Sequence, residues 1–334
     1  MNIYDISEKA GVSIATVSRV LNGNSKVSEK TRQKILDIME ETGYQPNAFA
    51  RGLGLNTMNT VGILCADSSD QVLAFAVYFL EQRLHKYDYD VLLCCTGYDV
   101  TVKEKYLRLL LSKRVDALIL AGSNFVEADM EKNRYIVEAA KEVPVIILNG
   151  YLDASNVYCA LCEDSEVMYR LTSQFLKRTD RILYVYRSLS YSGREKLKGV
   201  KKAFERAGIA LCQDQLLLFN GTIDETKQML KERSGGRKLW DVIITSDDEL
   251  AVGACKYARE AGWSIPDELQ ITGYNNSRIS ICREPEITSV DNHLEFSCQN
   301  CVTMLMKALT GGQVPSRMSV SGDIMIRGTT TDLV

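Results

Sequence analysis

Short, mostly apolar runs alternate with helical stretches between residues 60 and 273. The runs are rich in Val, Ile and Leu and occupy residues 61–65, 91–95, 117–121, 145–148, 182–186, 216–219, 242–245 and 269–273. Strands that are apolar on both faces lie in parallel sheets that helices cover on both sides. The alternation therefore predicts an α/β fold with two doubly wound parallel-sheet lobes. Ligands of such sheets bind outside the carboxyl ends of the strands, so we expect a cleft between the lobes.

The first 57 residues carry a different pattern, that of three short helices. N-cap residues and terminating glycines bound these helices at residues 2–11, 13–23 and 28–43. Two short helices that are joined by a glycine-containing turn and closed by a third are typical of the helix-turn-helix arrangement. In that arrangement the N-terminal residues of the second helix enter the major groove of DNA. The periodicity alone also fits a three-helix bundle of another purpose.

The residue types of this segment narrow the interpretation. The segment contains DISEKAGVS at 5–13, ATVSRVLN at 15–22, VSEKTR at 27–32 and GYQPNAFARGL at 43–53. This dense, ordered set closely resembles the head of the lactose-repressor/galactose-repressor (LacI/GalR) family of transcription regulators. The resemblance implies a helix-turn-helix DNA-binding domain over residues 1–45, a hinge helix or linker over 46–58, and an effector-binding and dimerisation domain over 59–334.

The geometry of the motif and the family pattern together indicate which residues contact DNA. Arg19 can hold the O6 and N7 atoms of guanine, whereas Ile14 and Ala15 offer apolar contacts, for example to a thymine methyl group. In the family, the leucine that matches Leu53 wedges into a central CpG step, and pyrimidine–purine steps unstack readily. We therefore expect a homodimer that binds a palindromic operator with a central CpG. The candidate DNA contacts are Ser13, Ile14, Ala15, Thr16, Ser18, Arg19, Asn22, Tyr44, Asn47, Ala50, Arg51 and Leu53.

Later stretches extend the resemblance over nearly the whole chain. They are LLLSKRVDALIL at 109–120, IPDELQITGYNN at 265–276, ITSV at 287–290 and IRGTT at 326–330. The resemblance implies lobes like those of periplasmic sugar-binding proteins, with an N-lobe over about 60–160 and 291–319 and a C-lobe over about 161–290 and 320–334. The chain should cross between the lobes near residues 160, 290 and 320. Carried over position by position, the candidate effector contacts are Asp70, Leu73, Asp164, Arg194, Lys196, Asp247, Asp248, Asn275 and Asn292.

Three positions depart from the family pattern. Lys196 replaces an arginine that grips the ligand with two parallel hydrogen bonds, and lysine offers only a point charge. Asn275 replaces an aspartate, and Asn220 lies in a loop where some sugar-binding members place a stacking aromatic ring. Any one of the candidate effector residues is also compatible with a solvated loop or helix position. Arg194 and Lys196 are two residues apart on a helix, so we do not expect both to face the cleft.

The resemblance implies a transcriptional repressor whose operator affinity is controlled by a small molecule, a sugar or sugar derivative, bound between the lobes. One alternative is the same architecture with a non-sugar metabolite as corepressor. Another is a soluble ligand-binding protein or enzyme, but the helix-turn-helix head disfavours it. We find no nucleophile–base constellation and no phosphate loop, and two histidines leave little for acid–base chemistry.

Composition restricts the remaining possibilities. The net charge is −3, and the first 57 residues carry seven Lys/Arg against six acids, so charge alone does not indicate nucleic acid. No apolar run approaches the roughly 20 residues of a membrane span, and the N-terminus lacks the pattern of a secretory signal, so we expect a cytoplasmic protein. In that compartment the ten cysteines act as reduced, small hydrophobic residues. We expect no metal and no cofactor.

Two further features bear on assembly. The helix at residues 73–80 is apolar all round, which favours either a buried position in its own lobe or, as in the family, cover by a partner subunit. Only seven residues follow the expected last strand at 325–327, too few for a helical tetramerisation tail. We therefore expect a dimer.

Overall fold

The computed structural model describes residues 2–21, 26–44, 57–331 and 333. The head consists of α1 (Ile3–Ala10), α2 (Ile14–Leu21) and α3 (Glu29–Thr42). Two six-stranded sheets, each covered by helices on both faces, follow from residue 60 onward. The predicted α/β fold with a helical head is confirmed.

The three head helices pack around one small apolar core. Ile6 from α1, Val17 from α2 and Ile35 from α3 are fully buried in it. Val20, three residues after Val17, is also buried, whereas Leu21 is only half-buried at the edge of this core. The predicted caps form as well, since the side chains of residues 2 and 28 accept hydrogen bonds from backbone N–H groups of the first turn.

The N-lobe is built on a fully parallel sheet. Its strands are β1 (Thr60–Cys65), β2 (Asp90–Cys95), β3 (Ala117–Ala121), β4 (Val145–Leu148), β5 (Val157–Cys162) and β11 (Arg317–Val320), in the order β11-β5-β4-β3-β1-β2. One face is covered by α4 (Gln71–His85) and α11 (Leu294–Leu309), and the other by α5 (Val100–Ser112) and α6 (Arg134–Ala140).

The C-lobe repeats this architecture with one antiparallel edge strand. Its strands are β6 (Ile182–Tyr186), β7 (Leu216–Leu218), β8 (Val242–Thr245), β9 (Gln270–Tyr274), β10 (Thr288–Asp291) and β12 (Asp323–Met325), in the order β12-β10-β9-β8-β6-β7. Only β12 runs antiparallel to its neighbour, β10. The helices α7 (Asp164–Leu176) and α8 (Tyr191–Ala207) cover one face, and α9 (Ile223–Ser234) and α10 (Asp248–Ala261) cover the other.

The chain passes from one sheet to the other three times, after β5, after β10 and after β11. The last strand differs from its expected position, because β12 covers Asp323–Met325 rather than residues 325–327. Arg327 leaves the ladder: its N–H donates to the Thr288 hydroxyl at 2.8 Å, and its guanidinium donates to the Ile287 carbonyl at 2.9 Å. The arginine thus anchors the segment that follows the sheet.

The apolar helix α4 lies on the surface of the N-lobe. Ala76, Leu80 and Leu84 are buried against the sheet. On the other side, the Tyr78 side chain is 55% exposed and packs edge-on against the half-buried Phe79. The helix therefore buries only one of its two apolar sides within the chain. No helix in the described part is long and apolar enough to span a membrane.

Candidate DNA-binding surface and interlobe cleft

The first turn of α2 projects from the head. The hydroxyl of Ser13 accepts a hydrogen bond from the Thr16 N–H at 3.2 Å and thereby caps the helix. Ile14, Ala15 and Arg19 are exposed on it, and the Ile14 side chain keeps 38% of its surface in solvent. An exposed apolar side chain beside an exposed arginine, at the start of the second helix, is the arrangement that reads base edges in the major groove.

The remaining predicted DNA contacts divide into two groups. Thr16 and Ser18 are half-buried on α2, and Tyr44 is half-buried against the core of the head after α3. The other five predicted contacts lie outside the described residues; they are Asn22, Asn47, Ala50, Arg51 and Leu53.

A cavity of about 500 Å³ lies between the two lobes. Its walls come from the segments that follow the carboxyl ends of nine strands, among them residues 122–124 after β3, residues 187–190 after β6 and residues 246–249 after β8. Parallel strands of both sheets point their carboxyl ends at this space, which is where doubly wound folds bind ligands. Seven of the nine predicted effector contacts line the cavity; they are Asp70, Leu73, Lys196, Asp247, Asp248, Asn275 and Asn292.

The two other candidates, Asp164 and Arg194, do not line the cavity. The Arg194 guanidinium donates to the Leu189 carbonyl at 2.7 Å. Its neighbour Lys196 faces the cavity, so the spacing of two residues separates the pair as expected. Asp164 is buried behind the wall, because its place at the start of α7 puts it beneath the end of β9.

A buried polar network backs the C-lobe wall. The Tyr274 hydroxyl donates to the Asp164 carboxylate, and the Lys196 ammonium lies 3.5 Å from the centre of the Tyr274 ring. The ammonium also donates to the Ser246 carbonyl at 3.1 Å. Burial raises the pKa of Asp164 and lowers that of Lys196, and the attraction between the two charges opposes both shifts. The Lys196 ammonium therefore already interacts with groups of the same chain, although it lies at the cavity surface.

Asp248 lies on the cavity floor with only 1% of its surface exposed. Its carboxylate accepts from the Ser289 hydroxyl at 2.6 Å and from the N–H and hydroxyl of Ser277, each at 2.7 Å. Burial raises the pKa of Asp248 to about 6, against the effect of these hydrogen bonds. The two Ser277 donors fix the loop after β9 against the start of α10, and the Ser289 donor links β10 to the same carboxylate.

Arg187 is one of the cavity residues that sequence reasoning missed. Its guanidinium donates to both oxygens of Asp247, at 2.7 and 3.2 Å, to Glu249 at 2.9 Å and to the Gly221 carbonyl at 2.8 Å. It thereby ties the segments after β6, β7 and β8 into one wall. A signal was present, because Arg187 directly follows the apolar run 182–186, and such positions face the ligand.

The N-lobe wall has a similar set of polar groups. Asp70 caps α4 by accepting from the Leu73 N–H at 2.9 Å. The side chain of Lys103, on α5, is buried, and its ammonium donates to the Glu127 carboxylate at 3.1 Å. At the back of the cleft, the Asn292 amide donates to the Asn275 side-chain oxygen at 3.0 Å. Carboxylates and amides in this arrangement can hold the hydroxyl groups of a small polar ligand.

The lobes are in direct contact beside the cavity. The Ser123 hydroxyl donates to the Ser190 hydroxyl at 3.0 Å, and the Tyr191 N–H donates to the Ser123 carbonyl at 3.1 Å. These bonds join the loop after β3 in the N-lobe to the start of α8 in the C-lobe.

The cysteines form no metal site in the described part of the chain, where no group of three or more metal-ligating side chains comes together. Both CxxC pairs lie inside secondary structure: Cys159 and Cys162 on β5, and Cys298 and Cys301 on α11. All four thiols are buried, as expected for small apolar residues.

Comparisons with known proteins agree with this architecture. Residues 2–47 match the family described as "Bacterial regulatory proteins, lacI family", and residues 58–325 match "Periplasmic binding proteins and sugar binding domain of LacI family". An HTH-type transcriptional regulator of Lachnoclostridium phytofermentans is 50% identical over 99% of both chains. Catabolite control protein A of Priestia megaterium is 30% identical over 87% of both. A solved lac repressor dimer bound to operator and the anti-inducer ONPF superimposes with a TM-score of 0.85 and 24% identity over 98% of both chains.

Proposed function

Because the chain belongs to the LacI family of bacterial regulatory proteins, we propose that it is a repressor whose affinity for operator DNA is set by a small molecule in the interlobe cleft. The single observation that carries the proposal is the polar cavity of about 500 Å³ at the carboxyl ends of both sheets, in the same chain as a helix-turn-helix head. The family membership makes the chain a DNA-binding transcriptional regulator; the effector control and the sign of regulation are the proposal.

The charges of the cleft favour a sugar or sugar derivative that carries no phosphate. Among the described lining residues, five carboxylates outnumber three cations. Each of the cations, Lys103, Arg187 and Lys196, already donates to protein acceptors. A phosphate would meet excess negative charge, whereas the hydroxyl groups of a sugar can donate to the carboxylates and amides. A non-sugar corepressor with several hydrogen-bond donors would fit the same groups and is an outcome of the test below.

The DNA complex that we propose is a homodimer on a palindrome with a central CpG. The exposed first turn of α2, with exposed Arg19 one turn further along, supports major-groove contact by Ile14, Ala15 and Arg19. The half-covered apolar helix α4, with Tyr78 on its outer side, supports burial against a second copy. The lac repressor of similar fold is described as a dimer bound to operator. Light scattering should return twice the 37.4 kDa chain mass, and a mass of one chain or of four would contradict the dimer.

The lobes provide the link between ligand and DNA. A ligand that contacts both walls stabilises the lobe arrangement for which it has the higher affinity. In a dimer, the two heads are carried by the chain before β1, so the lobe arrangement sets how the two heads are spaced on the operator. The bonds between the lobes, such as that from Ser123 to Ser190, belong to one such arrangement.

Two measurements test the proposal. Selection from random duplexes identifies the operator, and fluorescence anisotropy at fixed salt then measures its affinity with neutral sugars, sugar phosphates and non-sugar metabolites. We expect a neutral sugar or sugar derivative to change operator affinity at least fivefold, whereas its phosphate ester has no effect. A response to non-sugar metabolites alone would mean that the effector is not a sugar, and no response to any compound would refute effector control.

Two matched variants test whether the ligand binds in the cavity. Asn275→Ala removes a cavity side chain, and Gln228→Ala removes an exposed amide on α9 that does not line the cavity. The response should weaken at least fivefold in Asn275→Ala and stay unchanged in Gln228→Ala, with both variants binding operator normally in the absence of ligand. Equal responses in the two variants would mean that the ligand binds elsewhere.

A further inference from the structure

Two cysteines that are 30 positions apart in sequence meet on neighbouring strands of the N-lobe. Cys65 ends β1 and Cys95 ends β2, and the two residues are direct partners in the parallel register. Their sulfur atoms are 3.7 Å apart. Neighbouring strands are about 4.7–4.9 Å apart, which is within the Cα separation that a disulfide bridges. A rotation of the side chains therefore brings the sulfurs to bonding distance without a change of fold.

The two thiols differ in accessibility. Cys65 is fully buried, and burial, together with the hydrogen bond to Cys95, raises the pKa of its thiol to about 12. Cys95 is exposed, because β2 is the edge strand of the sheet. An oxidant in solution thus reaches Cys95 first, and Cys65 is the thiol that lies behind it. An accessible thiol with a second thiol in contact is the arrangement of redox-sensing cysteine pairs.

We propose that Cys65 and Cys95 form a reversible dithiol–disulfide site that reacts with peroxides. In the first step the Cys95 sulfur attacks hydrogen peroxide, the O–O bond breaks, and Cys95 sulfenic acid and one water form. In the second step the Cys65 sulfur displaces the hydroxyl group of the sulfenic acid, which leaves as a second water with the thiol proton. Two thiols lose two electrons and two protons in total, and one peroxide is reduced to two waters.

The bond would act on the wall of the cleft. The Thr96 N–H donates to the Cys65 carbonyl at 2.9 Å, and the Gly97 N–H donates to the Ala66 carbonyl at 2.9 Å. The segments after these bonds carry Asp70 and Tyr98, which both line the cavity. A covalent link between the ends of β1 and β2 therefore holds both segments in one position. Disulfide formation itself does not depend on the proposed function. The effect on the cleft rests on the proposal that this cleft is the effector site.

The remaining cysteines offer controls. Cys94 precedes Cys95 on β2, where its side chain points to the opposite face of the sheet. Cys212 is exposed in the C-lobe before β7. Both can react with an oxidant, but neither is paired in register with Cys65. Cys94→Ser and Cys212→Ser therefore leave the proposed site intact, and Cys65→Ser and Cys95→Ser each remove it.

The first experiment detects the bond. The reduced full-length protein is treated with hydrogen peroxide, free thiols are alkylated, and the peptides are identified by mass spectrometry. We expect a cross-linked peptide pair that contains Cys65 and Cys95, in wild type, Cys94→Ser and Cys212→Ser, and its loss after dithiothreitol. Cys65→Ser should instead accumulate Cys95 sulfenic acid, which dimedone traps. Alkylated Cys65 after full oxidation of Cys95 in the wild type, or cross-links between two chains only, would overturn the proposal.

The second experiment measures the effect on the cleft without an identified ligand. Amide hydrogen exchange is compared between oxidised and reduced protein for peptides that span residues 66–70 and 96–98. We expect at least threefold slower exchange in both segments after oxidation, and no change in Cys65→Ser treated in the same way. A disulfide that leaves the exchange of both segments unchanged would refute the link to the cleft, independently of whether the protein is a repressor.

Discussion

Removing one oxygen atom from the buried network behind the cleft should destabilise the C-lobe measurably. Tyr274→Phe deletes the hydroxyl that donates to Asp164 but keeps the ring that lies against the Lys196 ammonium. Asp164 retains a hydrogen bond from Ser192. A hydrogen bond to a charged group contributes about 1.5–3 kcal/mol to the free energy of unfolding. For a domain of this size, that corresponds to a melting temperature lower by roughly 3–12 °C.

A matched control comes from β6, two strands away in the same sheet. Tyr184 is also fully buried, and its hydroxyl makes no hydrogen bond with any described residue. Tyr184→Phe therefore removes the same atom from a similar environment without breaking a bond, and its effect on stability should be neutral or slightly favourable. The two variants are compared by thermal and urea unfolding of the full-length protein. If Tyr274→Phe were no less stable than Tyr184→Phe, the network would not contribute to stability.

The effect of Tyr274→Phe should also depend on pH. The Tyr274 hydroxyl stabilises the ionised form of Asp164 and so lowers its pKa, although burial holds that pKa above the usual value. The contribution of the bond is therefore present while Asp164 is ionised and declines as the pH falls through the folded-state pKa. The difference in stability between wild type and Tyr274→Phe should shrink in acid. A difference that grew in acid would mean that Asp164 is already protonated when it accepts this bond.

Three further changes give independent tests. Arg19→Ala should cost about 1–3 kcal/mol of operator affinity and relax base preference at one symmetric pair of positions, as measured by selection from random duplexes; selected sites without dyad symmetry would contradict this. Leu53→Ala, at a position outside the described residues, should weaken binding to operator but not to random DNA, since leucine releases no counterions; an equal loss on both DNAs would exclude the wedge. The pKa of Asp248 is about 6 in the folded protein against an ordinary value of 3.8, so the folded state binds this proton more tightly than the unfolded state does. The resulting stabilisation is fully present below about pH 4, and on the order of 3 kcal/mol is lost as the pH rises through 6. The free energy of unfolding of Asp248→Asn, measured as a function of pH, should lack this decline. Identical pH profiles for the variant and the wild type would refute the prediction.

The sequence by itself determined the secondary structure and the layer architecture. Helix caps such as Asn2 and Ser28 act through hydrogen bonds to the next three residues, so their effect is visible within a short window. The apolar runs are equally local signals, and all eight predicted strands are present within one or two residues. Three strands were not among the predicted runs: β5 contains only one β-branched residue, and β10 and β11 are short and carry polar side chains, so none of them forms a clear apolar run.

The sequence also located the cleft, because a polar residue just after an apolar strand lies at the carboxyl end of the sheet. That rule finds Asp247, Asn275 and Asn292, and applied to β6 it would have found Arg187. It could not show that Arg187 donates to Asp247 and Glu249, since those partners follow a different strand, 60 residues away. Hydrogen-bond partners at the ends of adjacent strands depend on sheet order, which no local pattern encodes.

Only the tertiary structure separated residues that touch the cavity from residues that support it. Asp164 and Lys196 were both candidate effector contacts, yet Asp164 is buried behind the wall and Lys196 reaches the cavity surface. The pairing of Cys65 with Cys95 likewise exists because β1 lies between β2 and β3 in the sheet. Burial and contact are properties of packing between segments that are distant in the chain. They are decided when the sheets and helices assemble, and for that reason the sequence named the candidates but not their roles.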